Sequence, residues 1–440
     1  MSHRLTHQPY PSPGQTGIRK VWTGRYFDGE PVYLDPTDDG SDEVGAEAQL
    51  DGKRIIGIDV ARGLALIGMV AVHTLPGYDG NGGMTLSFFL AAGNAAALFA
   101  TLAGVGLAFI SGGQQPVTGY RLARARKRLL IRALAIFLIG LLFNFWLEPP
   151  VYNILPYYGI MFLIAVFFIG MSIRKLVVSA LLTLATMPIV LFLVNRHRVD
   201  EPISNITIVD VFQSPGDSLT TLFFTGTYPV ATWIFYILVG LIIGRLPLRK
   251  IATQGYLVFF GFITAITAWA ISYLGIWYMG GWEKLISSEP QLTLDDIETF
   301  IVYGAEFDYL PTGTFAWQLV ASPHSNTALS ILHSTGVALC VLGFCLLLSR
   351  FYSRQLSPLA LIGSMTLTLY LGHQTFLSVG LINGSPLLQF ITQIAFGIAF
   401  AYVWTRFVRQ GPLEWLVAKL SKAGDAPFNV SNTTHRPPHS

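Results

Sequence analysis

The apolar residues of this 440-residue chain gather into blocks about as long as a bilayer is thick. A helix needs about 20 apolar residues to cross the hydrocarbon core. Ten such stretches can be read, near residues 55–75, 88–111, 129–147, 154–171, 174–194, 228–246, 251–275, 328–349, 357–379 and 387–408. Lipid offers the backbone no hydrogen-bond partners, so each stretch is expected to be a helix. The pattern predicts an all-α polytopic transmembrane helix bundle of about 10 spans over residues 54–410. Residues 1–53 are polar and rich in Gly, Pro, Asp and Thr, which predicts a disordered tail. No apolar h-region follows the start, so a cleaved signal peptide is not expected. Residues 411–440 are read as an amphipathic surface helix, near 412–422, followed by a polar tail.

Lys and Arg in the connections predict orientation. The second, fourth, sixth and eighth connections carry Arg121, Arg124, Arg126, Lys127 and Arg128, then Arg174 and Lys175, then Arg245, Arg249 and Lys250, then Arg350 and Arg354. The odd-numbered connections hold Arg196, Arg198 and Lys284. This alternation predicts cytoplasmic N- and C-termini and places the long loops 195–227 and 276–327 outside. The second of these loops is acidic (Glu283, Glu289, Asp295, Asp296, Glu298, Glu306, Asp308) and aromatic (Trp282, Tyr303, Phe307, Tyr309, Trp317). That mixture suits either a cap with interfacial aromatics or contact with a sugar or polar headgroup.

Composition narrows the class. Hydrophobic residues make up 52% of the chain and charged residues only 12%, about half the charge of a soluble domain. A soluble enzyme, a disulfide-stapled secreted domain and a nucleic-acid binder are excluded. Cys340 and Cys345 point to different faces of one apolar helix, so neither a disulfide nor a metal site is expected. No phosphate-binding G-x-x-x-x-G-K-S/T loop, H-E-x-x-H pair or G-x-S-x-G elbow is present.

Ionisable residues inside apolar spans mark candidate function, because lipid penalises them. In the first span, steps of three and four link Asp59, Arg62, Leu66, Met69 and His73 on one stripe. His73 stands about 21 Å above Asp59 along the axis. The stripe must face the bundle, as a structural ion pair or as a site. His324, His333 and His373 are expected at the same outer level as His73, with Tyr370 on the face of His373. Imidazoles titrating near neutrality suit acid–base work. At the opposite level, Arg121, Arg124, Arg126, Lys127, Arg128 and Arg132 crowd the start of the third span, with Arg124, Arg128 and Arg132 recurring every four residues on one face. They read as a positive-inside anchor or as a phosphate site. Gly93, Gly104 and Gly106 in the second span allow close helix packing or leave a slot.

Several stretches carry a family likeness. The first span, R-I-I-G-I-D-V-A-R-G-L-A-L-I-G-M-V-A-V-H (Arg54 to His73), resembles that of the polytopic membrane acyltransferases related to heparan-α-glucosaminide N-acetyltransferase. S-P-H-S-N-T (Ser322 to Thr327), H-S-T-G-V-A-L (His333 to Leu339), P-L-A-L-I-G-S-M-T-L-T-L-Y-L-G-H (Pro358 to His373) and G-P-L-E-W (Gly411 to Trp415) resemble the bacterial branch. The likeness covers roughly residues 54–420.

The resemblance implies transfer of an acyl group, in the first instance acetyl, from cytoplasmic acyl-CoA to an extracytoplasmic sugar or glycolipid acceptor. In the lysosomal enzyme of the family the acceptor is a terminal glucosamine, and the catalytic histidine follows the first span. This chain has no histidine in 74–93, so His73 is the nearest match, with His324 and His373 as further catalytic candidates. Asp59, Arg62, Asn326, His333 and Tyr370 are then candidates for substrate binding, and Arg121, Arg124 and Arg128 for the CoA phosphates. Acyl-CoA is the expected co-substrate and no metal is required. The expected partners are the lipid bilayer of the plasma (inner) membrane, acyl-CoA and the acceptor, with a homodimer left open and no nucleic acid. The alternative is a proton-coupled transporter or lipid flippase, against which stands the lack of a repeat between halves.

Overall fold

The structure, a computed structural model, describes residues 21–27, 30–34, 54–197, 203–304, 310–380, 384–408 and 410–423. Glu306, Phe307, Asp308 and Tyr309 of the long loop lie outside the described residues, as do Arg198 and most of the segment read as a disordered tail. Within that segment, β1 (Val21–Phe27) pairs antiparallel with β2 (Glu30–Leu34), Val21 opposite Leu34. This hairpin belongs to a unit separate from Ile55–Ser440.

The larger unit is helical among its described residues. In chain order its helices are α1 (Ile56–Thr74), α2 (Leu86–Ala91), α3 (Asn94–Ile110), α4 (Gly119–Leu147), α5 (Leu155–Phe168) and α6 (Ile173–Arg196). Next come α7 (Ile208–Gln213), α8 (Pro215–Thr220), α9 (Val230–Gly244), α10 (Ile251–Trp277), α11 (Gly281–Ser288) and α12 (Leu294–Val302). The last are α13 (Ala328–Phe351), α14 (Ser357–Gly363), α15 (Thr366–Val379), α16 (Pro386–Trp404) and α17 (Pro412–Ala423).

Each of the ten apolar stretches falls on a helix, but they are not ten equal spans. Seven helical segments are long and apolar enough to cross a membrane, or eight if Pro215–Thr225 and Val230–Gly244, bent by 52°, count as one. The stretch expected over 154–171 is a 14-residue helix, α5, opened by Pro156 in its first turn. The stretch over 357–379 is two helices, α14 and α15. A Cβ on Gly363 would stand 1.8 Å from the Asp59 carbonyl, so α14 is pressed against the α1 backbone where it ends. Conversely, α4 is longer than its apolar core: it starts at Gly119, because Arg121 to Arg128 are good helix formers with no breaker among them.

Burial separates inner from outer helices. Of their apolar windows, α1 is 61% buried and the α2–α3 segment 72%, against 22% for α6, 28% for α10 and 11% for α16. The outer helices display large apolar side chains such as Phe259, Phe260, Phe262 and Phe396, as a lipid-facing surface requires. Inner helices approach through small residues: a Cβ on Gly104 would meet the Ile237 carbonyl at 2.3 Å, and one on Gly240 the Thr101 carbonyl at 2.0 Å, so α3 and α9 touch backbone to backbone. Arg245, 6% exposed, ties the ends of two helices together. Its guanidinium donates to the Ala108 carbonyl in the last turn of α3, to those of Ser111 and Gly113 just after it, and to Ile169 at the end of α5.

The long loop forms a cap with its own core of Ile276, Leu285, Ile297, Leu310, Val320 and the fully buried Trp317. Thr293 and Asp296 make a capping box at the start of α12, and these hydrogen bonds hold the Asp296 carboxyl below its ordinary pKa. Tyr303 donates to the Gly82 carbonyl, joining the cap to the loop after α1. Cys340 and Cys345 are free thiols.

Candidate active site

The stripe on α1 faces the bundle: Asp59, Leu66 and Met69 are buried, and Arg62 and His73 half-buried. Asp59 and Arg62 lie 3.4 Å apart. At the far end of α1, His73 Nδ1 is 2.9 Å from Nε2 of His373 on α15. The two rings are nearly parallel, 5° apart in plane, with centroids 5.2 Å apart. His373 Nδ1 is in turn 2.5 Å from Gln393 Oε1 on α16. His73 is half-buried, whereas His373 and Gln393 are buried, at 5% and 7% exposed. His73 is therefore the member a substrate can reach.

The hydrogen bonds set the tautomers. An amide oxygen only accepts, so the Gln393 contact requires the proton of His373 on Nδ1. Nε2 of His373 then accepts from His73 Nδ1–H, leaving a lone pair on His73 Nε2, the nitrogen turned away from the pair. That is the form of a general base. Gln393 Nε2 is buried without a partner. Turning the amide over would reverse the whole chain and put a proton on His73 Nε2.

His324 approaches His73 from the cap, within electrostatic range of it. Its ring lies parallel to Trp233 at 6.1 Å and edge-on to Tyr228 at 5.4 Å. Both His324 (φ 57°) and Asn326 (φ 56°) adopt the left-handed conformation, which costs about 1–3 kcal/mol each outside glycine. Side-chain bonds hold it: Asn326 Nδ2 donates to the His324 carbonyl at 2.7 Å, and Asn326 Oδ1 accepts from Trp233 Nε1 at 2.8 Å. Gly93, at φ 68°, makes room, since a Cβ there would lie 3.2 Å from Pro323 Cα. Burial holds the His324 imidazole down at about 4, against a hydrogen bond to the Thr227 backbone that pulls the other way. It is thus neutral at pH 7. His333 is directed elsewhere, its Nδ1 3.2 Å from the Ala265 carbonyl on α10.

Tyr370, one turn before His373, accepts from the Ile154 backbone and from Gln374. Tyr158, 2% exposed and facing Tyr370, has a buried hydroxyl without a partner. The helix bearing Tyr370 and His373 is fixed from α17. There Glu414 accepts from the Leu367 and Thr368 amides at the start of α15, and from the Thr368 hydroxyl at 2.6 Å. A carboxylate at a helix N-terminus is favoured by the dipole.

Arg132, the continuation of the arginine stripe on α4, is the unexpected residue. Leu129 and Ile136, one turn either side on the same face, are 0% and 5% exposed, whereas Arg132 is exposed. Its guanidinium lies 6.0 Å from the Phe162 ring centre, and its charge acts on Arg62 and Glu414. Gly106 leaves space for the Arg62 guanidinium, 3.1 Å from where a Cβ would stand. Two neighbouring guanidinium groups suit an anionic guest. Arg121 and Arg124 are exposed and Arg128 half-buried further towards the start of α4.

Comparison with known families fits this geometry. The family model of the heparan-alpha-glucosaminide N-acetyltransferase catalytic domain matches residues 54–279, just over half the chain. The chain belongs to this family. Its members form an acetyl-CoA-dependent N-acetyltransferase family. No curated protein matches the chain. The family match covers α1 to α10, and so His73, Arg62 and Arg132, and stops before the cap, His324, His373 and Gln393.

Gln393 and Tyr158 were missed by sequence reasoning. A polar signal existed for Gln393, since an amide inside an apolar span is costly. Tyr158 had none, because a tyrosine in such a span reads as an interfacial anchor. Among the described residues no group of three or more His, Cys, Asp or Glu is placed to hold a metal ion.

Proposed function

We propose that this protein carries an acetyl group from cytoplasmic acetyl-CoA to an extracytoplasmic sugar or glycolipid acceptor. The observation that carries the reading is the His73–His373–Gln393 chain, which leaves a basic nitrogen on His73. His73 stands eleven residues, about 16 Å along α1, from Arg62, whose guanidinium is within electrostatic range of that of Arg132. The thioester arm of acetyl-CoA has to bridge that interval. The residues present fit it: guanidinium groups for its phosphates in Arg62, Arg132 and the stripe back to Arg121, Arg124 and Arg128, and the unpartnered Tyr158 hydroxyl for the carbonyl oxygen.

In the proposed step the acceptor amine or hydroxyl attacks the thioester carbonyl carbon. His73 Nε2 takes the acceptor's proton as the new bond forms. The C–S bond breaks, and the sulfur of CoA leaves with the proton His73 acquired, so the histidine returns to its starting form. His373 and Gln393 orient His73 and disperse the charge it carries in between. His324 and Asn326 flank the acceptor, and Asp59 holds Arg62. With both termini cytoplasmic, in the plasma membrane, the basic connections lie inside, which sets the arginine level inside and the histidine level outside.

The test is acceptor-dependent release of CoA by the purified protein, together with the effect of acetyl-CoA on its melting temperature. Acetyl-CoA is expected to raise Tm, and glucosamine-bearing oligosaccharides or glycolipids to accelerate thiol release, with His73→Ala and His373→Ala inactive. No rise in Tm and no acceptor-dependent release would refute the proposal.

A further inference from the structure

The turn between α4 and α5 is held by asparagines from separate segments: Asn144 in the last turn of α4, Asn153 just before α5, and Asn205 ahead of α7. Asn144 and Asn153 are each 1% exposed, and a buried amide is costly unless both its ends are bonded. Here they are. The Leu155 N–H donates to Asn153 Oδ1 at 3.0 Å, Asn153 Nδ2 to Asn144 Oδ1 at 2.7 Å, and Asn144 Nδ2 to the Ile206 carbonyl at 2.8 Å. A backbone N–H only donates and a carbonyl only accepts, so this relay runs in a single direction and neither amide can turn over. Asn205 locks it from the side: its Oδ1 accepts from the Asn153 N–H at 2.8 Å, and its Nδ2 donates to the Pro149 and Val151 carbonyls.

What the relay fixes is the next residue. Ile154, 2% exposed, donates its N–H to the Tyr370 hydroxyl at 3.2 Å, and its carbonyl accepts from the Tyr158 N–H at 3.0 Å. One residue thus joins the two tyrosines. Tyr370 stands three residues before His373 on α15, and Tyr158 carries the buried hydroxyl without a partner. Pro156 offers no N–H, so the relay and the bond to Tyr370 take up the first amides at the start of α5.

We infer that Asn153, backed by Asn144 and Asn205, is a positioning residue that holds the Tyr158 hydroxyl in register with the helix of His373. The inference rests on the acetyltransferase reading above and adds how its two halves are aligned. One half is the donor to the thioester carbonyl on α5, the other the histidine on α15 that orients the base. A displacement of about 1 Å in such an arrangement costs on the order of 100-fold in rate.

The experiment is kinetic, on the full-length protein, with thiol release from acetyl-CoA as the assay and Tm measured for each variant. Tyr158→Phe should lower kcat about 100-fold, as loss of one carbonyl donor does. Asn153→Leu, close in size, should lower kcat on the order of 10- to 100-fold, with the KM for acetyl-CoA within about twofold of wild type. Asn205→Ala, in a half-buried loop, is the milder change and should show the same pattern to a smaller degree. In the Asn153→Leu, Tyr158→Phe double variant the two losses should fall well short of multiplying, because no hydroxyl is left to position. Amide hydrogen exchange without substrate should quicken in Asn153→Leu both at the start of α5 and around Tyr370 on α15. Losses that multiply fully, a KM that rises while kcat holds, or exchange that quickens at α5 alone would overturn the inference. Exchange reads the link apart from the chemistry, whereas a wild type that releases no thiol overturns the acetyltransferase reading itself.

Discussion

Replacing Gln393 by leucine tests the logic of the site most directly. Leucine matches the size of the side chain but removes the only atom shown to accept from His373 Nδ1, at 2.5 Å in a place where Gln393 is 7% exposed. A buried donor left without an acceptor costs about 1–3 kcal/mol. His373 can escape that cost by moving its proton to Nε2 and donating to His73 Nδ1, which places the His73 proton on Nε2 and occupies the basic lone pair. The same 1–3 kcal/mol then becomes the penalty for restoring the active tautomer, a loss of roughly 5- to 150-fold in kcat. The KM for acetyl-CoA should barely move, since Gln393 bonds the nitrogen of His373 opposite the one that meets His73. Gln393→Glu retains an acceptor at the same place and should recover much of the lost rate. The assay is acceptor-dependent thiol release from acetyl-CoA, with Tm measured alongside to set aside unfolding. A Gln393→Leu protein within threefold of wild type would refute the tautomer argument.

Other predictions concern the scaffold and pH. Glu414→Ala removes three hydrogen bonds from the start of α15 and should cost about 2–3 kcal/mol, seen as a lower Tm and as reduced activity through the displaced His373. Arg245→Met removes the guanidinium from four carbonyls at the ends of α3 and α5, of which those of Ala108 and Ser111 keep backbone donors, and should destabilise by about 2–3 kcal/mol even though it removes a buried charge; an unchanged Tm would contradict the clamp. His324 takes up a proton near 6.5 when unfolded but only near 4 when folded. Between those values the unfolded chain holds more protons, so stability is constant above pH 6.5, falls as pH drops towards 4 and levels off below, by at most roughly 3 kcal/mol. The difference in Tm between wild type and His324→Gln should trace that window; parallel profiles from pH 7 to 4 would show the imidazole is not shielded.

Much of the site was legible because its first half is local. Asp59, Arg62 and His73 share a face by helical periodicity alone, and lipid leaves a charged face nowhere to turn but inward. The S-P-H-S-N-T and G-P-L-E-W stretches were visible as features, but their roles were not. One is a strained loop held by Trp233 and accommodated by Gly93, the other a carboxylate inserted under α15. The arginine stripe was visible as far as Arg132, yet only packing set that residue beside Phe162 and within reach of Arg62 and Glu414.

By itself, then, the order of residues determined an apolar helical bundle, an inward-facing first helix and a chain with too little charge for water. Each of these follows from local periodicity and the cost of polar groups in lipid, which act within a few turns of helix. The tertiary structure decided the rest: that the 357–379 stretch breaks where Gly363 meets the Asp59 carbonyl, that His373 and not His333 meets His73 across 300 residues, and that Gln393 stands behind both. A tautomer is set by the partner a nitrogen finds in space, and no spacing along the chain specifies that partner.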